Sequence, residues 1–199
     1  MEKIGVYVQN VDGVWFGVAC DEKQIFATTF SRDKKAAVES LTDCLPPERN
    51  FQVLPELSFF AERALKSVKN IYDGKGEFQS LPLANEWLSP FQNRVLEVAR
   101  LIPVGYVASY GAISEAAGGG PRAVGGVMAT NPFAPIVPCH RVVRSDFTLG
   151  GYGGGLDLKV QMLTREKRGK VSPLDVPVKG KKLRIFPVER VLEKVENET

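Results

Sequence analysis

Between Ser89 and Pro132 the chain is cut by helix-breaking residues at such short intervals that only three small helices fit between them. Ser89-Pro90 opens the first, with serine as N-cap and proline at the first helical position, where its missing N–H does no harm. Phe91, Val95, Leu96, Val98 and Ala99 form its inner side until Pro103 stops it. The second runs from Tyr110 to Ala117 after Ser109 and is broken by Gly118 to Gly120. Pro121 restarts a third, Arg122 to Thr130, which Asn131-Pro132 closes. Two short helices about a tight glycine turn predict a helix-turn-helix.

The third helix is unusual in composition. Arg122, Gly126 and Ala129 share one side with Gly125 beside them, while Val124, Val127 and Met128 face the other way. Two adjacent glycines cost roughly 1 kcal/mol each relative to alanine inside a helix, so close approach of something to that flank is the natural compensation. A helix that reads bases in a major groove carries long polar side chains, and this one has a single arginine at its start. The smooth ridge therefore suits either tight packing on another helix or backbone contact in the narrower minor groove of a duplex.

The first third alternates in strand fashion through Ile4 to Val8, Val14 to Ala19 and Gln24 to Phe30, with Asp12-Gly13 and Asp21 to Lys23 as turns, which predicts an antiparallel meander. Helices are expected over Lys34 to Leu45 and Ser58 to Asp73, and Asp73 to Gly76 with the irregular stretch after it reads as a linker. The tail starts as a Pro- and Lys-rich link and then sets Val188, Val191, Leu192 and Val195 on one helical face, expected to pack across the N-terminal domain. The expected fold is α+β. A small α/β scaffold domain (1–80) precedes a mostly helical domain (81–169) with the helix-turn-helix, and an extension (170–199) carries a further helix.

The only histidine, His140, stands directly beside Cys139 in Pro135 to Val143, inside an apolar, β-branched frame of Ile136, Val137, Val142 and Val143. Burial raises a cysteine pKa whereas a neighbouring imidazole or arginine lowers it, so Cys139 beside His140 and Arg141 has the means of becoming a reactive thiolate. In isolation the pair is equally readable as a small core hydrophobe with a satisfied polar neighbour. Cys20, Cys44 and Cys139 are too few and scattered for a disulfide framework, though a bridge between Cys20 and Cys44 stays open. One histidine and no paired cysteines exclude a tetrahedral zinc site, and no metal is expected. Without an apolar run of about 18 residues or a secretory start, no membrane partner and a cytoplasmic location are expected.

The net charge of +3 announces no nucleic acid by itself, but its distribution is uneven. Residues 1–85 carry 10 basic and 12 acidic side chains, residues 86–169 carry 9 and 6, and Ala116 to Ser145 holds three arginines and no acid. A locally basic surface favours phosphate contact, yet a solvated face would look similar.

Pro138-Cys139-His140-Arg141-Val142 resembles the active-site signature of the O6-alkylguanine-DNA alkyltransferases, and further elements follow that family's order and spacing. They are Ser89-Pro-Phe-Gln92, Ile102-Pro-Val-Gly105, Ser109-Tyr110-Gly111, Pro121-Arg-Ala-Val-Gly-Gly126, Asn131-Pro132, Gly150 to Gly155 and Glu166, covering about Asn85 to Gly169. The resemblance implies DNA repair by a methylated-DNA–protein-cysteine methyltransferase. The alkyl group of an O6-alkylguanine, flipped from duplex DNA, passes irreversibly to Cys139 in a single turnover. It further implies His140 as general base through a water, since neighbours on an extended segment point to opposite faces, with Glu166 holding the imidazole and Tyr110 helping to rotate the nucleotide and protonating the guanine.

By the same resemblance Arg122 is the finger that replaces the flipped base, and Ala123, Gly125, Gly126 and Tyr110 join it on the DNA, with Arg141 placed among the DNA-binding residues while a structural role stays open for it and for Arg144. Asn131 links the third helix to the cysteine segment, and Met128, Val142, Tyr152 and Gly153 belong to the pocket and its frame. Two departures stand out. Gly153 replaces a common serine, and Gly120 stands where a serine or threonine cap is usual, so a more mobile loop and a weaker cap are expected. No cofactor is implied, and a monomer is expected to act on double-stranded DNA. The rival readings are a recogniser of alkylated guanine that transfers nothing, and a helix-turn-helix regulator. A cysteine hydrolase would need an oxyanion hole and a separately placed histidine. Glu166 sits among Arg165, Lys167 and Arg168, so an ordinary surface helix charge is the plain alternative for it.

Overall fold

The computed structural model describes residues 3–75, 81–169 and 172–197, which fall into two compact units. In the first, β1 (Ile4–Val11), β2 (Val14–Cys20) and β3 (Ile25–Ser31) form the expected meander. Asp12 and Gly13 both take positive φ between β1 and β2, the conformation a two-residue hairpin turn requires. Asp33 caps α1 (Lys34–Asp43), its side chain accepting from the Ala36 N–H, and the chain returns through β4 (Phe51–Val53), parallel to β1. The sequence reading did not anticipate β4. Phe51-Gln52-Val53 alternates, but three residues, all of them exposed, are too short a run to be read as a strand. Ile4, Val6, Phe26, Ala27 and Leu41 fill one core, while α2 (Phe59–Tyr72) places Tyr72 edge-on against Phe16 and Phe30.

Two segments assigned in sequence to the helical domain group with this unit. Residues 81–87 run beside β3 through the Ile25–Leu83 bridge, and residues 132–136 through the Thr28–Phe133 bridge. Backbone pairing with an exposed strand edge decides this, and single-sequence patterning does not see such pairing. The linker expected from Asp73 onward falls partly on residues 76–80, outside the described residues.

In the second unit, α3 (Pro90–Arg100) begins with a complete capping box. Ser89 Oγ accepts from the Gln92 N–H and Gln92 Oε1 accepts from the Ser89 N–H. β5 (Tyr106–Ser109) leads into α4 (Tyr110–Ala117), and α5 (Pro121–Ala129) follows the glycine turn. Gly119 sits at φ 81° with its missing Cβ only 2.6 Å from the Phe91 ring, so no larger residue fits that turn. Gly120 caps α5 without a side-chain bond, as its residue type dictates.

β6 (Val142–Val143) pairs parallel with Ala108 and Ser109, and α6 (Leu156–Arg165) follows. The tail departs from expectation. Instead of a link and a helix lying on the N-terminal unit, it forms a hairpin of β7 (Leu174–Val178) and β8 (Lys181–Pro187) and then α7 (Glu189–Asn197). β8 pairs with β5, and Val188, Val191 and Leu192 share a core with Val107, Val143 and Leu163, all within the second unit. The cause is legible afterwards: Leu183, Ile185 and Pro187 alternate inward between exposed Lys182 and Arg184.

Candidate active site

The site is built by backbone pairing first. β5 and β6 lie side by side in parallel, Ala108 facing Val142 and Ser109 facing Val143, so the strand that leads into Tyr110 is paired with the strand that Cys139–Arg141 leads into. Cys139–Arg141 is a single 3-10 turn, with the Arg141 N–H donating to Pro138 O at 2.9 Å, rather than the extended segment expected from sequence. Pro138, at φ −81° and ψ 70°, folds an inverse γ-turn closed by the Cys139 N–H on Val137 O at 2.8 Å. Asn131 Nδ2 donates to that same carbonyl at 2.8 Å, so the residue just past the C-cap of α5 fastens the turn presenting the thiol.

His140 is fully buried, its Nε2 2.9 Å from Glu166 Oε1. Glu166 is no surface helix charge, because it too is wholly buried at the C-cap of α6. Burial works against its charge, but His140 and Arg141 outweigh that and hold the carboxyl down to about 2. An ionised carboxylate only accepts, so Nε2 carries the hydrogen and Nδ1 is left with the lone pair. Nδ1 is buried with no hydrogen-bond partner among the described residues. Burial lowers the imidazole pKa despite the opposing pull of Glu166, which keeps the ring neutral and able to take a proton.

Arg141 requires a correction. Expected among residues touching DNA, it is buried, with Nε and Nη2 donating to Glu166 at 2.7 to 3.0 Å and Nη1 donating to Ile102 O at 2.7 Å. Its charge is needed inside to neutralise Glu166, a duty that sequence adjacency to His140 does not reveal. Sequence reasoning missed Lys159 altogether. On α6 it occupies the inward stripe Lys159, Met162, Leu163, Glu166 and is fully buried. Its Nζ donates to Val142 O at 2.6 Å, to Leu149 O, and to Gly151 O at 3.4 Å, which ties the strand after the cysteine to the glycine loop. Burial pulls its pKa down to about 8, with Cys139 opposing. A lysine sharing an i, i+3, i+4, i+7 stripe with Met162, Leu163 and Glu166 was the available signal.

Burial raises the Cys139 thiol pKa, while the Asn131 amide, Lys159 and the N–H groups of the turn pull it back. Tyr110 lies between two glycines. A Cβ on Gly150 would fall 2.9 Å from its ring, and one on Gly125 would fall 3.9 Å away. Burial, together with Cys139, raises the pKa of Tyr110 and of Tyr152, whose hydroxyl donates to Met162 Sδ at 3.5 Å. Val142 and Met128 are buried, the latter on the inner face of α5 with Val124 and Val127, while Gly153 is exposed in the loop. On the opposite face of α5, Arg122, Ala123, Gly126 and Ala129 are exposed, and a Cβ on Gly126 would meet nothing within 4 Å. Packing on a neighbouring helix of this unit therefore does not explain the glycines.

A sequence model described as the 6-O-methylguanine DNA methyltransferase, DNA binding domain, matches residues 90–168. A methylated-DNA–protein-cysteine methyltransferase of Mycobacterium leprae is 42% identical over 125 residues, covering 61% of this chain and 73% of the relative. The chain belongs to the O6-methylguanine-DNA methyltransferase family. A Thermus thermophilus DNA base-flipping protein is 40% identical over 107 residues, 53% of this chain and 73% of its own length. A methyltransferase of the same name from Methanothermobacter thermautotrophicus is 39% identical over 106 residues, or 53% of this chain, and the match spans only 60% of that relative. Among solved structures, Mycobacterium tuberculosis OGT in complex with DNA superposes with a TM-score of 0.66 at 26% identity, covering 82% of this chain and 92% of that one. The α+β fold is thus that of the family's solved alkyltransferases. Among the described residues no helix is long and apolar enough to cross a membrane.

Proposed function

We propose that this family member repairs double-stranded DNA by moving the alkyl group of an O6-alkylguanine onto its own Cys139. Arg122, with Ala123, Gly125 and Gly126, enters the minor groove on the exposed face of α5, and Arg122 fills the gap left by the flipped nucleotide. Through a bridging water, His140 Nδ1 takes the proton of the Cys139 thiol. The thiolate then attacks the alkyl carbon in one displacement. The S–C bond forms as the C–O6 bond breaks, the electron pair passes into the guanine, and the Tyr110 hydroxyl returns to guanine the equivalent of the proton His140 took. Lys159, tied to the carbonyls of Val142 and Gly151, supplies positive charge to the thiolate. The thioether is not hydrolysed, so each molecule acts once, and it works as a monomer in the cytoplasm with the N-terminal unit as scaffold.

The observation that carries this reading is the fixed tautomer of His140. Glu166 holds Nε2, and the one lone pair left on the ring belongs to the turn that bears the cysteine. The test is intact-mass analysis after incubation with a duplex containing O6-methylguanine. The expected result is one added methyl mapped to Cys139 and no second turnover. Binding with an unchanged protein mass would instead support pure damage recognition, the reading favoured by the name of the Thermus relative.

A further inference from the structure

Basic side chains crowd the tip of the β7–β8 hairpin, which lies outside the stretch matched by the family's DNA-binding model. The turn Lys179-Gly180 has both residues at positive φ and carries Lys179, Lys181 and Lys182 outward, with Arg184 further along β8. Two constraints fix where this tip sits. β8 runs antiparallel to β5, Tyr106 facing Pro187 and Val107 facing Phe186, so its earlier residues extend toward the end of β5 from which Tyr110 and α4 depart. Lys181 Nζ then donates to Glu115 O at 2.8 Å, in the last turn of α4, three residues before Gly118 opens the glycine turn. Arg94 reaches the same helix end from α3, its Nε donating to Ala117 O at 3.1 Å.

Cations from α3 and from the hairpin thus gather at the turn that leads into the exposed α5 face and Arg122. The acids nearby are Glu97, Glu115 and Asp175. Lys179 meets Glu97 at 2.9 Å and Lys182 meets Asp175 at 3.9 Å, both lysines being about four-fifths exposed. Ion pairs in such solvent contribute little, so phosphate can replace the carboxylates at small cost. We infer that the hairpin tip, through Lys179 and Lys182, is a second DNA-contacting surface that grips the phosphate backbone of the duplex beside the helix-turn-helix. The inference rests on the proposed DNA reading of α5 and adds backbone contacts that carry no base sequence information.

The experiment compares the unaltered protein with the K179A/K182A and K179R/K182R double variants. It reads the salt dependence of binding to an unmodified duplex and the rate of methyl transfer from free O6-methylguanine base. Loss of two phosphate contacts makes the slope of log affinity against log salt shallower by about 1.8. The expected result is that change in K179A/K182A, a slope restored in K179R/K182R, and equal free-base rates in all three. An unchanged slope in K179A/K182A overturns the inference while leaving the repair reading intact. Failure of the unaltered protein to bind duplex at all overturns both. A slowed free-base reaction in K179A/K182A also overturns the inference, since it places the lysines' effect in the fold of the site rather than on DNA.

Discussion

Cys139 and His140 were recognisable from their adjacency, but the work each can do is set by residues far along the chain. Glu166 fixes the imidazole tautomer, and Arg141 and Lys159 are charged side chains whose interior positions no local pattern announces. His140→Phe is expected to keep duplex affinity and to lose roughly 10²- to 10⁴-fold in transfer rate, measured by single-turnover kinetics. The same residues set the response to acid. Both His140 and Glu166 have folded pKa values below their ordinary ones, so below about pH 6.5 the unfolded chain binds protons that the folded chain refuses. Stability is therefore present in full above that pH. It falls first through the His140 contribution and then, from about pH 4.5 down to about 2, through Glu166. Thermal melting across pH 7 to 3 should show a falling midpoint. A midpoint that does not change over this range would remove the buried pair from the account.

Helix boundaries were the most legible elements, because Ser89-Pro90, Ser109, the glycine turn and Asn131-Pro132 are chemical punctuation that acts within one turn of chain. What the glycines of α5 do was not legible until neighbours could be placed. Gly126 has normal helical backbone and open space where a Cβ would stand. Gly126→Ala should therefore stabilise the fold by roughly 0.5 to 1 kcal/mol in chemical denaturation, since alanine is the better helix former. The same change should weaken duplex binding, because the added methyl roughens the exposed ridge. Loss of stability together with loss of binding would mean that the helix packs against something else. Gly119→Ala has the opposite expectation. Positive φ and the Phe91 ring both oppose it, and it should destabilise the helix-turn-helix as followed by the melting midpoint.

The second unit closes only when the tail is included, since β8 supplies the antiparallel neighbour of β5 and α7 packs on the core beneath β5 and β6. Removing residues 172–197 would expose Val107, Val143 and Leu163 together, and the truncated protein is expected to be protease-labile and inactive in the mass assay. A truncated chain that resists protease and still takes up one methyl would show the tail to be dispensable. The sequence by itself determined the strand meander, the three punctuated helices, the smooth flank of α5 and the adjacency of Cys139 to His140, because each depends on residues within a few positions of one another. Only the tertiary structure decided that Arg141 is an internal counter-ion, that Lys159 braces the glycine loop, that segments 81–87 and 132–136 edge the first sheet, and that the tail completes the second. Those outcomes depend on which distant groups share a buried space, where an unpaired charge or strand edge is costly, and a one-dimensional pattern carries no record of that neighbourhood.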